Sequence, residues 1–218
     1  MDTLCKTQSE AQRLIAKHIG AHPFWISDVI DLGKWRGLVE KFNLKYETDI
    51  SPAARQWRKK RGQCCAHLIA APLPDDRLRW VLVVTDHGTG PVKQQERLHD
   101  VRNEHLVWGD YVLIHATRRR EFGGGARWTW FMSSRIEKQE ADYLTGLAQS
   151  SGRERRPERL RAYLDVLLKR PMHSGVRQQV AKMMRRAQKI WAKHSHGMSW
   201  PGPEPADIPA FGRYLPHA

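Results

Sequence analysis

Residues 79–85 read Arg-Trp-Val-Leu-Val-Val-Thr, and no other stretch constrains the fold as tightly. Five consecutive apolar side chains, three of them valine, match the length of a strand and fall far short of a membrane helix. Residues 64–72 (Cys-Cys-Ala-His-Leu-Ile-Ala-Ala-Pro) supply a second strand, joined to the first by a tight Pro74-Asp75-Asp76 turn. Leu106-Val107-Trp108 and Tyr111–Thr117 read as further strand, interrupted by Gly109-Asp110. After Gly123-Gly124-Gly125, residues 126–132 alternate. Trp128, Trp130 and Met132 fall on one face, with Arg127, Thr129 and Phe131 on the other. Short loops make these pairings antiparallel. Residues 86–104 are polar, hold Gly88, Gly90 and Pro91, and predict a loop with one helical turn.

The period changes on both sides of this region. Ala11, Leu14, Ile15, His18 and Ile19 recur at helical spacing before Gly20. A second helical region is expected after Pro23, with Phe24, Trp25, Val29 and Ile30 as its apolar side. Ser51 followed by Pro52 predicts an N-cap and first turn for a short basic helix ending near Gly62. Three helices follow the sheet region. Ile136, Tyr143, Leu144 and Leu147 mark the first, Leu160, Tyr163, Leu164, Leu167 and Leu168 the second, and the third runs from about His173 to His194. From Met198 onward the chain is rich in proline and glycine without periodicity, which predicts an extended tail, docked or loose.

The fold class is therefore α+β: N-terminal helices (1–62), a central antiparallel sheet of four to five strands (63–134), a C-terminal three-helix segment (135–197) and a tail (198–218). We expect one compact domain plus tail. A content of 40% hydrophobic residues, with nine Trp, supports folding through most of the length. The polar N-terminus lacks a signal-peptide core, so a reducing cytoplasm is the default compartment. Cys64 and Cys65 are adjacent and Cys5 is remote, matching neither a disulfide framework nor a zinc spacing.

Charge is what points to a partner. The net charge is +14, and residues 151–218 carry fourteen Lys or Arg against five Asp or Glu, whereas residues 1–50 balance seven against seven. Such polarisation suits a polyanion, since neutralising phosphates releases condensed counterions. In the third C-terminal helix, Val176, Val180, Met183, Ala187 and Ile190 define the apolar stripe. Lys182, Arg185, Arg186, Lys189 and Lys193 fall within about 100° of arc on the opposite side, with no acid among them. Arg55, Arg58, Lys59, Lys60 and Arg61 form a second cluster around Trp57. An aromatic among cations suits stacking on an unpaired base, but the expected role of Trp57 is to pin the short helix to the core. Arg118, Arg119 and Arg120 form a third, before the glycine turn. Arg153, Arg155, Arg156, Arg159 and Arg161 alternate with Glu154 and Glu158 and read as a salt-bridged helix start.

Motifs for chemistry are sparse. Gly123-Gly124-Gly125 lies between strands, with no Gly-Lys-Ser/Thr after it, and is not a phosphate loop. His194-Ser195-His196 sits at a helix end and lacks a third ligand. No cofactor or metal is called for. The expected function is nucleic-acid binding, with DNA slightly favoured over RNA because the charged stripe of the long helix carries no aromatic ring. A prokaryotic accessory factor for replication, transfer or regulation of a mobile element fits a small basic chain. Two alternatives stand beside it. One is a nuclease built from His87, His99 and His105 with Asp86, Asp100 and Glu104. The other is a protein-interaction adaptor that meets an acidic partner, with residues 199–216 of the tail as a docking strip.

Overall fold

The computed structural model describes residues 3–117 and 124–208. They form two compact units, divided between Leu106 and Val107, each with its own sheet. The composition is α+β, and three helices close the second unit.

In the first unit five strands pair in the order β1-β3-β4-β2-β5: β1 (Thr3–Leu4), β2 (Phe24–Asp31), β3 (Ala66–Leu73), β4 (Arg77–Val84) and β5 (His99–Asp100). The apolar run of residues 80–84 lies in β4 at the centre, between β3 and β2, where both faces of the strand are covered. The β3–β4 turn forms as expected, with Asp75 and Asp76 at φ 62° and 50°, the left-handed conformation that acidic turn residues tolerate. The β1–β3 pairing is parallel, so the sheet is mixed.

One element of this unit is of a different type from the one expected. Residues 24–31 are a strand, not a helix, and pair with β4 over all eight positions, from Phe24 opposite Val84 to Asp31 opposite Arg77. The doublets Phe24-Trp25 and Val29-Ile30 satisfy either period, and the long pairing with an apolar neighbour decides between them. The helix comes later, as α2 (Trp35–Tyr46), after a single 3-10 turn at Leu32–Lys34.

Phe42 and Tyr46 of α2 and Val92 of α4 (Pro91–Gln95) cover one sheet face, packing on Cys64, Ala66, Leu68, Ala70, Trp80, Leu82 and Val84. The other face receives α1 (Gln8–His18), which packs on β3 with Ala11 and Ile15 fully buried. All three cysteines are free and buried, and burial pushes the Cys5 thiol up to about 11, as suits inert core residues. Between α2 and β3 stands α3 (Pro52–Lys60), capped by the Ser51 hydroxyl accepting from the Ala54 N–H.

The second unit holds a separate antiparallel sheet, β6 (Val107–Trp108), β7 (Tyr111–Thr117) and β8 (Ala126–Met132). The single central sheet expected from the sequence is thus two sheets. Trp130 and Met132 are buried, as the alternation in β8 requires. Three helices follow: α5 (Ser134–Arg153), α6 (Pro157–Leu168) and α7 (Ser174–His194). Ile136, Leu144, Leu160, Leu164, Leu167, Val176, Val180, Met183, Met184, Ala187 and Trp191 form their shared core. Gln179 reaches from α7 to Met132, accepting from its N–H at 2.8 Å and donating to its carbonyl at 3.0 Å. The tail is docked as far as Ile208, which is 4% exposed. Trp191 Nε1 donates to the Met198 carbonyl at 3.1 Å, and Trp200 Nε1 to that of Pro203 at 3.0 Å.

Candidate nucleic-acid interface

The length of α7 and its burial pattern set its outer face. Val176, Val180, Met183, Met184, Ala187 and Trp191 are buried, so the opposite side of the cylinder stands in water. Lys182, Arg185, Arg186, Lys189 and Lys193 are all exposed on it. With a rise of about 1.5 Å per residue, the row extends for about 16 Å along the axis. None of the five forms an ion pair among the described residues. Each neighbours another at three or four residues, giving five like-charge pairs that cost a few tenths of a kcal/mol apiece. A polyanion laid on this face would remove that repulsion.

The second cluster divides. Arg55 donates from Nη2 to the Thr48 carbonyl at 2.6 Å and from Nη1 to the Ala66 carbonyl at 2.9 Å. Arg58 pairs with Glu47 and donates to the Cys64 carbonyl from Nε and Nη2, both at 3.2 Å. These two guanidiniums fasten α3 to the unit, a task usually given to apolar side chains; α3 has no buried residue. The cations of the cluster that face water are Lys59, Lys60 and Arg61.

Trp57 departs from expectation. It is 52% exposed rather than buried, and the Arg61 guanidinium lies 3.7 Å from its ring centroid. With the arginines doing the anchoring, the indole is not needed as a pin. Arg118, Arg119 and Arg120 lie outside the described residues. In the Arg-Glu run that leads into α6, Arg159 in the first turn pairs with Glu154 at 2.7 Å, as a salt-bridged helix start requires.

Four of the six residues of the nuclease reading are engaged in polar pairs. Arg102 holds both Asp86 and Asp100, at 3.2 and 2.7 Å, and its hydrogen bond keeps the Asp100 carboxyl below its ordinary range. His99 Nδ1 lies 2.6 Å from Glu104 and its ring packs on Trp25, while His87 and His105 are exposed. Among the described residues no three His, Cys, Asp or Glu side chains are placed to hold a metal ion.

One cluster escapes sequence reasoning. His18 from the end of α1, His22 from the following turn and His67 from β3 bring three rings together, with centroids 4.5–5.7 Å apart. Burial drives the pKa of His22 down to about 4 and that of His67 to about 2, and the nearby Arg55 charge adds to the effect on both. His18 is lowered as well, again chiefly by burial. His22 and His67 are therefore neutral at ordinary pH. By spacing alone His18 is one more member of a helix stripe, and nothing in the positions of the three foretells their meeting.

No protein-family model, curated protein or solved structure matches the chain. Among the described residues no helix is long and apolar enough to cross a membrane.

Proposed function

We propose that this protein is a nucleic-acid-binding accessory factor that contacts phosphates through the exposed face of α7, with duplex DNA the favoured target. The observation that carries the reading is the row formed by Lys182, Arg185, Arg186, Lys189 and Lys193, all in water and none ion-paired among the described residues. A helix carrying charge of one sign on one side can follow a sugar–phosphate backbone, and release of condensed counterions supplies affinity that is independent of sequence. The absence of an aromatic ring from those five positions suits a duplex, whose bases stay stacked inside. Three buried free thiols agree with a reducing, cytoplasmic setting.

The test replaces the five cations by Gln and measures binding to a duplex of mixed sequence over a range of salt. Affinity should fall, and the slope of log affinity against log salt should become shallower by up to about 4.5, near 0.9 for each phosphate that is no longer neutralised. Far-ultraviolet circular dichroism should not change, because every substituted side chain is exposed. Unaltered affinity at moderate salt would refute the reading.

A further inference from the structure

The outer side of α3 combines an accessible aromatic ring with exposed cations, and α3 reaches this arrangement because its other side is tied down. At about 100° per residue, Arg55 and Arg58 share one side of the helix, and both are engaged with carbonyls beneath it. Gln56, Trp57 and Lys60 fall on the other side, next to Arg61, and all four are exposed. Indole is the side chain with most to gain from burial, yet about half of Trp57 remains in water even with Arg61 stacked on it. The guanidinium at 3.7 Å also limits the freedom of the indole, so the ring is held ready for a second planar group.

We propose that this face of α3 binds an unpaired nucleotide: the base stacks on Trp57, and Lys60 and Arg61 hold the flanking phosphates. The proposal rests on the reading of the chain as a nucleic-acid-binding protein and gives the first unit a task separate from that of α7. A planar, polyanionic strand is the partner whose chemistry matches both halves of the surface, ring to base and cation to phosphate. A duplex matches only the second half, since its bases reach an outside ring only after unstacking, at a cost of a few kcal/mol. Stacking does not distinguish sugars, so single-stranded DNA and single-stranded RNA share the required chemistry.

The test uses the full chain, fluorescein-labelled oligo(dT) and oligo(rU), and a blunt DNA duplex annealed from two complementary strands, which has no unpaired base. Trp57→Ala should weaken binding to one or both single strands by about five- to 150-fold, the range found when one stacked base loses its ring. Trp57→Phe should retain most of the affinity, because it keeps a stacking face. Duplex affinity should be the same in all three proteins. Whichever single strand the parent binds more tightly identifies the sugar. The melting curve of Trp57→Ala should overlay that of the parent, since Arg55 and Arg58 hold the helix. Single-strand affinity unchanged in Trp57→Ala, or equal losses on duplex and single strands, would overturn the proposal. The α7 Gln variant separates the two readings. It is scored on the duplex alone, so failure there removes the α7 interface, while failure of Trp57→Ala on single strands removes the α3 platform.

Discussion

The histidine cluster of the first unit makes a pH prediction that can be worked through. His67 titrates near 6.5 in an unfolded chain, but burial and the Arg55 charge lower its folded-state pKa to about 2; His22 is lowered to about 4. Between the folded and unfolded values the unfolded chain binds protons that the folded chain refuses. Stability therefore rises with pH in this window: it is greatest above about 6.5 and declines as the solution is acidified toward each folded value. Each such proton contributes at most about 1.4 kcal/mol per pH unit, so His22 and His67 together tilt stability by up to about 2.7 kcal/mol per pH unit near pH 5. Carboxylates add their own slope at lower pH, so the useful quantity is a difference. Urea unfolding of the parent and of His67→Gln, compared between about pH 6 and about pH 5, should show a slope shallower by about 1.4 kcal/mol per pH unit in the variant. The Cε1–H resonance of His67 in the folded parent should show no midpoint above about pH 5. A His67 midpoint near 6.5, or equal slopes in the two proteins, would refute the burial argument.

Two further substitutions probe the second unit. A Cβ at Gly175 would sit 2.4 Å from the Trp130 carbonyl oxygen and 2.6 Å from the Phe131 ring, so Gly175→Ala should cost about 1–3 kcal/mol, read as a lower midpoint in urea. Gln179→Leu keeps the volume but leaves the Met132 N–H and carbonyl without their partner, and should cost about 1–3 kcal/mol for each group left dry; a parental urea midpoint would show that water replaces the amide.

The second unit is the more legible in the sequence. Its helices repeat their apolar residues over three turns or more, and a long period leaves little freedom in where the buried stripe lies: Val176, Val180, Met183 and Ala187 are all in the core, with the five cations opposite. Residues 24–31 mislead because Phe24-Trp25 and Val29-Ile30 suit a helix face and a strand equally, and what decides is a pairing with β4, whose nearest partner lies more than forty positions away. Strands are easier to find than their partners, since alternation marks a strand but says nothing of which sheet it joins. Trp57 misleads for a different reason. Large aromatics are usually held inside, and it takes two arginines donating to carbonyls, which no periodicity reveals, to free this one. The meeting of His18, His22 and His67 depends on the docking of α1 on β3 and is visible only once the chain is folded.

The packing of α7 on β8 has a consequence for how this molecule behaves in a crowd. A sheet that ends in a bare strand offers its peptide groups to any other chain, and such edges seed aggregation. Here Gly175 brings the first turn of α7 against the backbone at Trp130, the Ser174 hydroxyl donates to that of Thr129 at 2.9 Å, and the Gln179 carboxamide occupies both peptide groups of Met132. The helix thus fills the lane that an incoming strand would take, and the side-chain amide of Gln179 imitates the peptide of that strand. Along Thr129–Met132 the sheet is closed to growth from outside, and it stays closed only while the first two turns of α7 remain in place.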